Sequence, residues 1–233
     1  MATREQGTPD GLTVVPANAA SWKDLQAVLG ALGDAARCQC QRFKMSPGES
    51  WASVGAEELA HRLREQADSG RPQARGTAGL VAYLDGEPVG WCAVEPRSVY
   101  RRLLRDNRVP WTGRTEDKAD SSIWAVTCFV TRAGFRRQGV ATVLARAAVD
   151  HARQRGARAL EGYPMETQAG QEVTWGELHV GSSSMFAEAG FHQVSAPTKR
   201  RVVMRTDFLS TPRQRSAQRP ITRRRTRCPP DRA

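Results

Sequence analysis

Apolar and polar positions along the chain switch repeatedly between a period of two and a period of three to four, which predicts strands and helices mixed in one unit. Residues 12–17, LTVVPA, form a β-rich run and predict a first strand; residues 21–32, SWKDLQAVLGAL, open on an N-cap Ser and keep one apolar face, predicting a helix. In residues 55–70, Leu59, Leu63 and Ala67 fall at i, i+4 and i+8 before Gly70, the pattern of a second amphipathic helix. Residues 79–96, GLVAYLDGEPVGWCAVEP, place two β-rich runs around DGEP and give the clearest hairpin in the chain. The run SIWAVTCFV, residues 122–130, is apolar, β-branched and aromatic without a charge, as in a central strand covered on both faces. Beyond it Val140, Val143, Leu144, Ala147, Ala148, His151 and Ala152 recur at helical spacing up to Gly156, a natural helix-ending residue. RALEGYP then reads as a strand, HVGSSSMFAEAGF (179–191) as a short helix, and RRVVMRTDF (200–208) as a final strand. Residues 97–121 hold a short helix candidate, VYRRLLRDN, and a polar stretch with Pro110 and Gly113; they read as an insertion or lid.

Length fits this picture: 233 residues, at roughly 150 per domain, predict one large domain or one domain with appendages. The appendages are residues 1–11, a flexible N-terminus, and residues 210–233, which hold eight Arg against one Asp. That tail carries +7 of the net +11, leaving +4 for residues 1–209. With several Pro and little to bury, it predicts disorder and at most a weak grip on nucleic-acid phosphates. Five scattered cysteines, no secretory segment after Met1 and no run of roughly 18 apolar residues predict a reduced, cytoplasmic protein with no membrane partner. Cys38 and Cys40 have no second Cys or His pair at zinc spacing, so no metal is expected.

The chemistry concentrates where the uncharged strand run meets the long helix. RRQGVA is expected to be the first turn of this helix, where unbonded N–H groups and the positive end of the helix dipole suit an anion. Gly139 allows a ligand close to the backbone, Ala141 keeps the next turn slim, and Arg136 and Arg137 add charge. This predicts a pyrophosphate site. Neither the G-x-G-x-x-G of dinucleotide folds nor the G-x-x-x-x-G-K-[ST] of nucleotide triphosphatases occurs. Strand, R-x-x-G-x-A (Arg136, Gly139, Ala141), helix and strand in that order resemble motif A of the GCN5-related N-acetyltransferases, the GNAT family. HVGSSSMFAEAGF, ending in Gly190 and Phe191, resembles that family's motif B. The resemblance spans residues 12 to about 208 apart from 97–121 and a loop at 164–180.

The resemblance implies a mixed α/β, α+β-like fold. Its central seven-stranded, mostly antiparallel sheet is flanked by helices, and the fourth and fifth strands are splayed. It implies an enzyme that moves an acetyl group from acetyl-CoA to a primary amine, with residues 12–209 as the catalytic domain. The pyrophosphate would lie on Arg136, Arg137, Gln138, Gly139, Val140, Ala141 and Thr142, and the pantetheine arm along Phe129, Val130 and Thr131. His179 stands where relatives carry a cofactor-facing Asn.

Two family roles do not carry over. The fourth strand lacks the Glu that many relatives use as a base, and the position of the family's acidic Tyr is Phe186. Strand alternation puts Glu161 and Tyr163 on one face, making them candidate base and acid. Otherwise the thiolate leaves unassisted, or the protein is a CoA-binding regulatory or degenerate domain with little turnover. A third reading is a nucleic-acid-associated protein acting through its Arg tail. The acceptor, a small-molecule amine or a peptide or protein amine, is expected among the loops. These hold Trp111, Trp175 and the carboxylates Asp117, Asp120, Glu166, Glu172 and Glu177, which suit a cationic amine.

Overall fold

A computed structural model describes residues 11–30, 33–106, 108, 110–167 and 175–208. The Arg-rich tail, residues 1–10 and Glu172 lie outside the described residues. β1 (Leu12–Pro16) leads into α1 (Trp22–Leu29), α2 (Gly33–Cys38), α3 (Trp51–Val54) and α4 (Ala56–Ala67). The hairpin strands β2 (Gly79–Leu84) and β3 (Glu87–Pro96) precede a 3-10 turn at Arg97–Val99 and α5 (Arg101–Arg105). β4 (Ile123–Thr131), α6 (Val140–Gln154) and β5 (Ala159–Gly162) follow, then α7 (Trp175–Leu178), α8 (Ser183–Glu188), β6 (His192–Thr198) and β7 (Arg201–Asp207).

The strands form one sheet in the order β1-β2-β3-β4-β5-β7-β6. Only β4 and β5 run parallel, joined by the α6 crossover; every other neighbouring pair is antiparallel. Strand alternation divides the apolar side chains into two layers. Leu80, Ala82, Cys92 and Val126 pack against α6 and α8, whereas Val81, Trp91 and Ala93 pack against α1 and α4. β3 approaches α6 closely: a Cβ at Gly90 would stand 2.6 Å from Val140 Cγ1. The hairpin turns on Asp85 (φ 49°) and Gly86 (φ 81°), the two left-handed residues that a type I′ turn requires.

Several predicted boundaries move. The first helix stops at Leu29, where Gly30 adopts φ 78°, and the second stops at Ala67, because Asp68 already turns left-handed ahead of Gly70. α2 and α3 are too short to show a helical period and were not predicted. RRQG is not the first turn of the long helix. Arg137 (φ 62°) and Gly139 (φ 77°) are both left-handed, so the four residues form a tight turn ahead of Val140.

The placement of the site follows from one mismatch of length. β5 pairs with β4 only at Ile123–Val126, and β4 continues to Thr131 without it. The edge of β4 from Thr127 to Thr131 therefore faces a gap in the sheet.

Candidate functional site

Two clefts open on either side of that gap. The first, ≈ 360 Å³, is walled by Phe129 and Thr131 of β4, by Arg136 and Arg137, and by the start of α6 with Gly139, Ala141 and Thr142. The opposite wall is Gly181, Ser182 and Met185. The first N–H groups of α6 have no acceptor within the helix, and the 15-residue helix directs the positive end of its dipole here. Two exposed arginines stand beside these donors. Such donors beside positive charge suit an anion.

Not every expected contact points into this cleft. The Val130 side chain packs with Trp91 in the opposite layer, so only its backbone borders the gap. Gln138 turns back, its amide donating to the Gly134 carbonyl at 3.2 Å. His179 shows its side chain to the second cleft; Leu178 and Gly181 border the first instead. Its backbone enters the gap, where the carbonyl of His179 accepts from the Phe129 N–H at 2.6 Å.

The second cleft, ≈ 350 Å³, collects Arg42, Arg102 and Arg201 with Asp106, Tyr163 and His179. His179 Nδ1 lies 2.8 Å from the Gly176 carbonyl, which places the ring proton on Nδ1 and the lone pair on Nε2. Burial, reinforced by the Arg42 charge, pulls the His179 pKa down to about 4, so the ring is neutral at pH 7. The ring stacks on Phe43 with centroids 6.1 Å apart.

Glu161 and Tyr163 share a face as expected, with Tyr163 Oη donating to Glu161 Oε2 at 3.0 Å. The surroundings of Glu161 do not suit a base. The carboxylate is fully buried and receives Arg97 at 3.1 Å, Arg205 at 3.0 Å and Arg114. Burial opposes its charge, but the Arg114 bonds and the Arg97 and Arg114 charges outweigh burial and hold the carboxyl below its ordinary range. Its oxygens are thus committed to guanidiniums, leaving it anionic and poorly basic. Tyr163 is driven the other way, its pKa raised by burial and by the Glu161 charge.

Phe186 offers no hydroxyl and is fully buried, its ring edge-on to Phe129 (5.7 Å) and Phe191 (4.8 Å). Gly162 makes room for it, since a Cβ there would stand 2.2 Å from Phe186 Cε1. The loop carboxylates expected to draw a cation are mostly engaged within the protein. Asp120 binds Ser122 and Arg158, Glu177 pairs with Arg200 at 2.9 Å, and Asp117 accepts from the Ala119 N–H. Trp111 is buried, its indole donating to the Leu103 carbonyl, with Arg97 stacked 4.9 Å above it. Sequence reading missed Arg42, Arg102 and Arg201, which come from three distant segments with no local pattern to join them.

Cys40 follows the end of α2 with φ 52° and reaches beneath the sheet, its Sγ 3.3 Å from that of Cys128 and accepting from the Trp91 indole. Among the described residues, no group of three or more His, Cys, Asp or Glu is placed to hold a metal ion. No helix among them is long and apolar enough to cross a membrane.

Residues 43–170 match the model of the acetyltransferase (GNAT) family. No curated protein matches the chain. Its fold is similar to that of yncA from Salmonella typhimurium, solved with acetyl-CoA, at 12% identity and a TM-score of 0.50 over 88% of this chain and 98% of that one. A GCN5-related N-acetyltransferase from Kribbella flavida gives 17% identity and a TM-score of 0.47 over 86% and 100%. The paiA N-acetyltransferase of Thermoplasma acidophilum, solved with coenzyme A, gives 12% and 0.44 over 84% and 99%. With the family match spanning more than half of the sequence, the chain belongs to the GNAT acetyltransferase family.

Proposed function

We propose that residues 12–209 form an N-acetyltransferase that carries an acetyl group from acetyl-CoA to a primary amine by direct attack in a ternary complex. The observation that carries this reading is the first cleft, where free helix amides and two arginines adjoin the open edge of β4. The pyrophosphate would rest on the Arg136–Thr142 turn, with the pantetheine arm along Phe129–Thr131. Once the His179 carbonyl withdraws, the Phe129 N–H is free to donate to the thioester oxygen as charge builds there. A donor of this kind is worth about 3 kcal/mol of barrier.

The neutral amine attacks the thioester carbon, the C–S bond breaks, and the products are an amide and CoA thiol. An amine arriving as ammonium releases one further proton. His179, held at about 4 by burial and Arg42, is no better a base than Glu161, so the amine is proposed to attack as the free base with its ammonium proton released to solvent. The O–H of Tyr163, the candidate donor to the leaving thiolate, is held by Glu161 and its acidity is lowered, so the thiolate is proposed to leave unassisted, with Glu161 and Tyr163 acting as a structural pair.

The first experiment is a thermal shift with acetyl-CoA, CoA and ATP in parallel, followed by thiol release over a panel of amines. A ligand at 100 times its Kd adds about 2.7 kcal/mol, enough for a rise of several degrees. A shift with both CoA species and not with ATP, together with thiol release, supports transfer. Phe186 and the carboxylate-free β4 favour a second reading, a CoA-binding domain with little turnover. Binding without thiol release for any amine would select it.

A further inference from the structure

The second cleft has a charge imbalance that the reaction itself does not require. Among the described residues that line it, Arg42, Arg102 and Arg201 reach it from the loop after α2, from α5 and from the start of β7, against one carboxylate, Asp106, with Glu177 next to the lining residue Gly176 and near Arg201. Asp106 is already committed, accepting from Arg105 at 2.6 and 2.8 Å and pairing with Arg102 at 3.4 Å. Among the described residues, Arg42 and Arg201 have no carboxylate within ion-pair distance. Arg42 lies 4.6 Å over the Trp51 ring, and Arg201 is half-buried, with burial working against its charge, the Glu177 carboxylate favouring it, and the Arg200 and Arg42 charges again opposing it.

Guanidiniums held together in a partly desolvated concavity repel one another unless an anion joins them, and their planar forks match carboxylate and phosphonate oxygens. The same cleft is bordered by Tyr163 and His179, and the His179 backbone is bonded to Phe129 on the open edge of β4. An oxyanion bound by these arginines would therefore share the cleft with His179, whose backbone reaches the open edge of β4. The volume of ≈ 350 Å³ lies at the small end of ligand sites.

We propose that the acceptor is a small primary amine carrying its own oxyanion, a carboxylate or phosphonate, which Arg42 and Arg201 bind with Arg102 beside them. This rests on the acetyl-transfer reading and narrows its acceptor. The charge has a second effect: a cationic wall raises the cost of ammonium relative to free amine, so the bound acceptor loses its proton more readily than in water. It also disfavours polyamines and lysine-rich peptides.

The test uses the full chain and matched acceptors with methyl and isobutyl side chains. Each set comprises the L-α-amino acid, its carboxamide, the decarboxylated amine and the 1-aminoalkylphosphonate. Thiol release from acetyl-CoA gives kcat/KM, and calorimetry in the presence of CoA gives affinity without turnover. The acids or the phosphonates should exceed the decarboxylated amine on the order of 30-fold in both readouts, as for loss of one partner from a buried charge pair. Which of the two anionic arms dominates identifies the oxyanion. Arg201→Gln should erase the preference through KM, and Arg42→Gln, in a loop, repeats the test should Arg201→Gln fail to fold. Uncharged or cationic amines acetylated as well as the acids would overturn the oxyanion site while leaving acetyl transfer standing. Acids that bind in an Arg201-dependent way without thiol release would retain the site and remove the transferase. An absence of binding and turnover by every oxyanion-bearing amine would overturn the proposal.

Discussion

The Phe129 N–H donates to the His179 carbonyl over 2.6 Å, which ties the motif B segment across the open edge of β4. In the proposed complex the thioester oxygen takes that donor, so the bond must exchange partners on each turnover. Acetyl-CoA should therefore shift the Phe129 amide nitrogen and proton resonances beyond what CoA achieves, because only the former brings a carbonyl. Equal shifts with both would place the thioester elsewhere.

At Gly139, φ is 77°, a conformation that costs a residue with a Cβ about 1–3 kcal/mol. Gly139→Glu adds a negative charge to that strain at the proposed pyrophosphate site. The variant should fold with a Tm lowered by several degrees and give no thermal shift with CoA at concentrations that saturate the natural protein. An unchanged affinity would remove the Arg136–Thr142 turn from the cofactor site.

Glu161→Gln takes away the charge that compensates the fully buried Arg97. Removing one partner of such a pair costs about 3–5 kcal/mol, to be read from urea unfolding at pH 7. The pH dependence has a definite sign. The folded-state pKa of Glu161 is depressed, so its stabilisation is complete above the ordinary value of 4.5 and is lost as pH falls through the folded-state value. Glu161→Gln should flatten that acid limb; a limb identical to that of the natural protein would mean that Glu161 is not its source.

Two buried imidazoles act in a milder range. Burial, aided by Arg155, brings His151 to about 4, and burial with Arg42 does the same to His179. Below the ordinary 6.5 the unfolded chain takes up these protons first, so stability should fall between pH 6.5 and 4. The His151 and His179 C2–H resonances, assigned with His151→Gln and His179→Gln, should titrate near pH 4 in the folded protein; titration of either near 6.5 would contradict its burial.

The thiols should be inert in the folded state. Burial raises Cys38 to about 11 and pushes Cys92 higher, while contact with Cys40 and burial raise Cys128. Iodoacetamide at pH 8, followed by peptide mass spectrometry, should label these three slowly until denaturant is added. Rapid labelling of the native protein would contradict their burial.

What the sequence made legible was whatever is encoded within about a dozen residues. Asp85-Gly86 announced its hairpin, the absence of charge from Ile123 to Thr131 announced a strand covered on both faces, and the spacing from Val140 to Ala152 announced α6. Alternation correctly joined Glu161 to Tyr163 but could not show Arg97, Arg114 and Arg205, which arrive from 44 to 64 residues away in sequence and change the carboxylate from candidate base to charge hub. The acceptor side was illegible for the same reason. Arg42, Arg102 and Arg201 become neighbours only after the sheet has closed, and no period or motif links them beforehand.

The four-residue pairing of β4 with β5 has a mechanical meaning. It is the narrow parallel seam between two antiparallel ribbons, β1 to β4 and β5 to β7, and the gap beyond it is where the donor would lie. A pantetheine arm lying against β4 would act as a temporary extra strand that lengthens the seam. Loading the donor would then stiffen the whole sheet, and releasing CoA would let its two halves breathe independently.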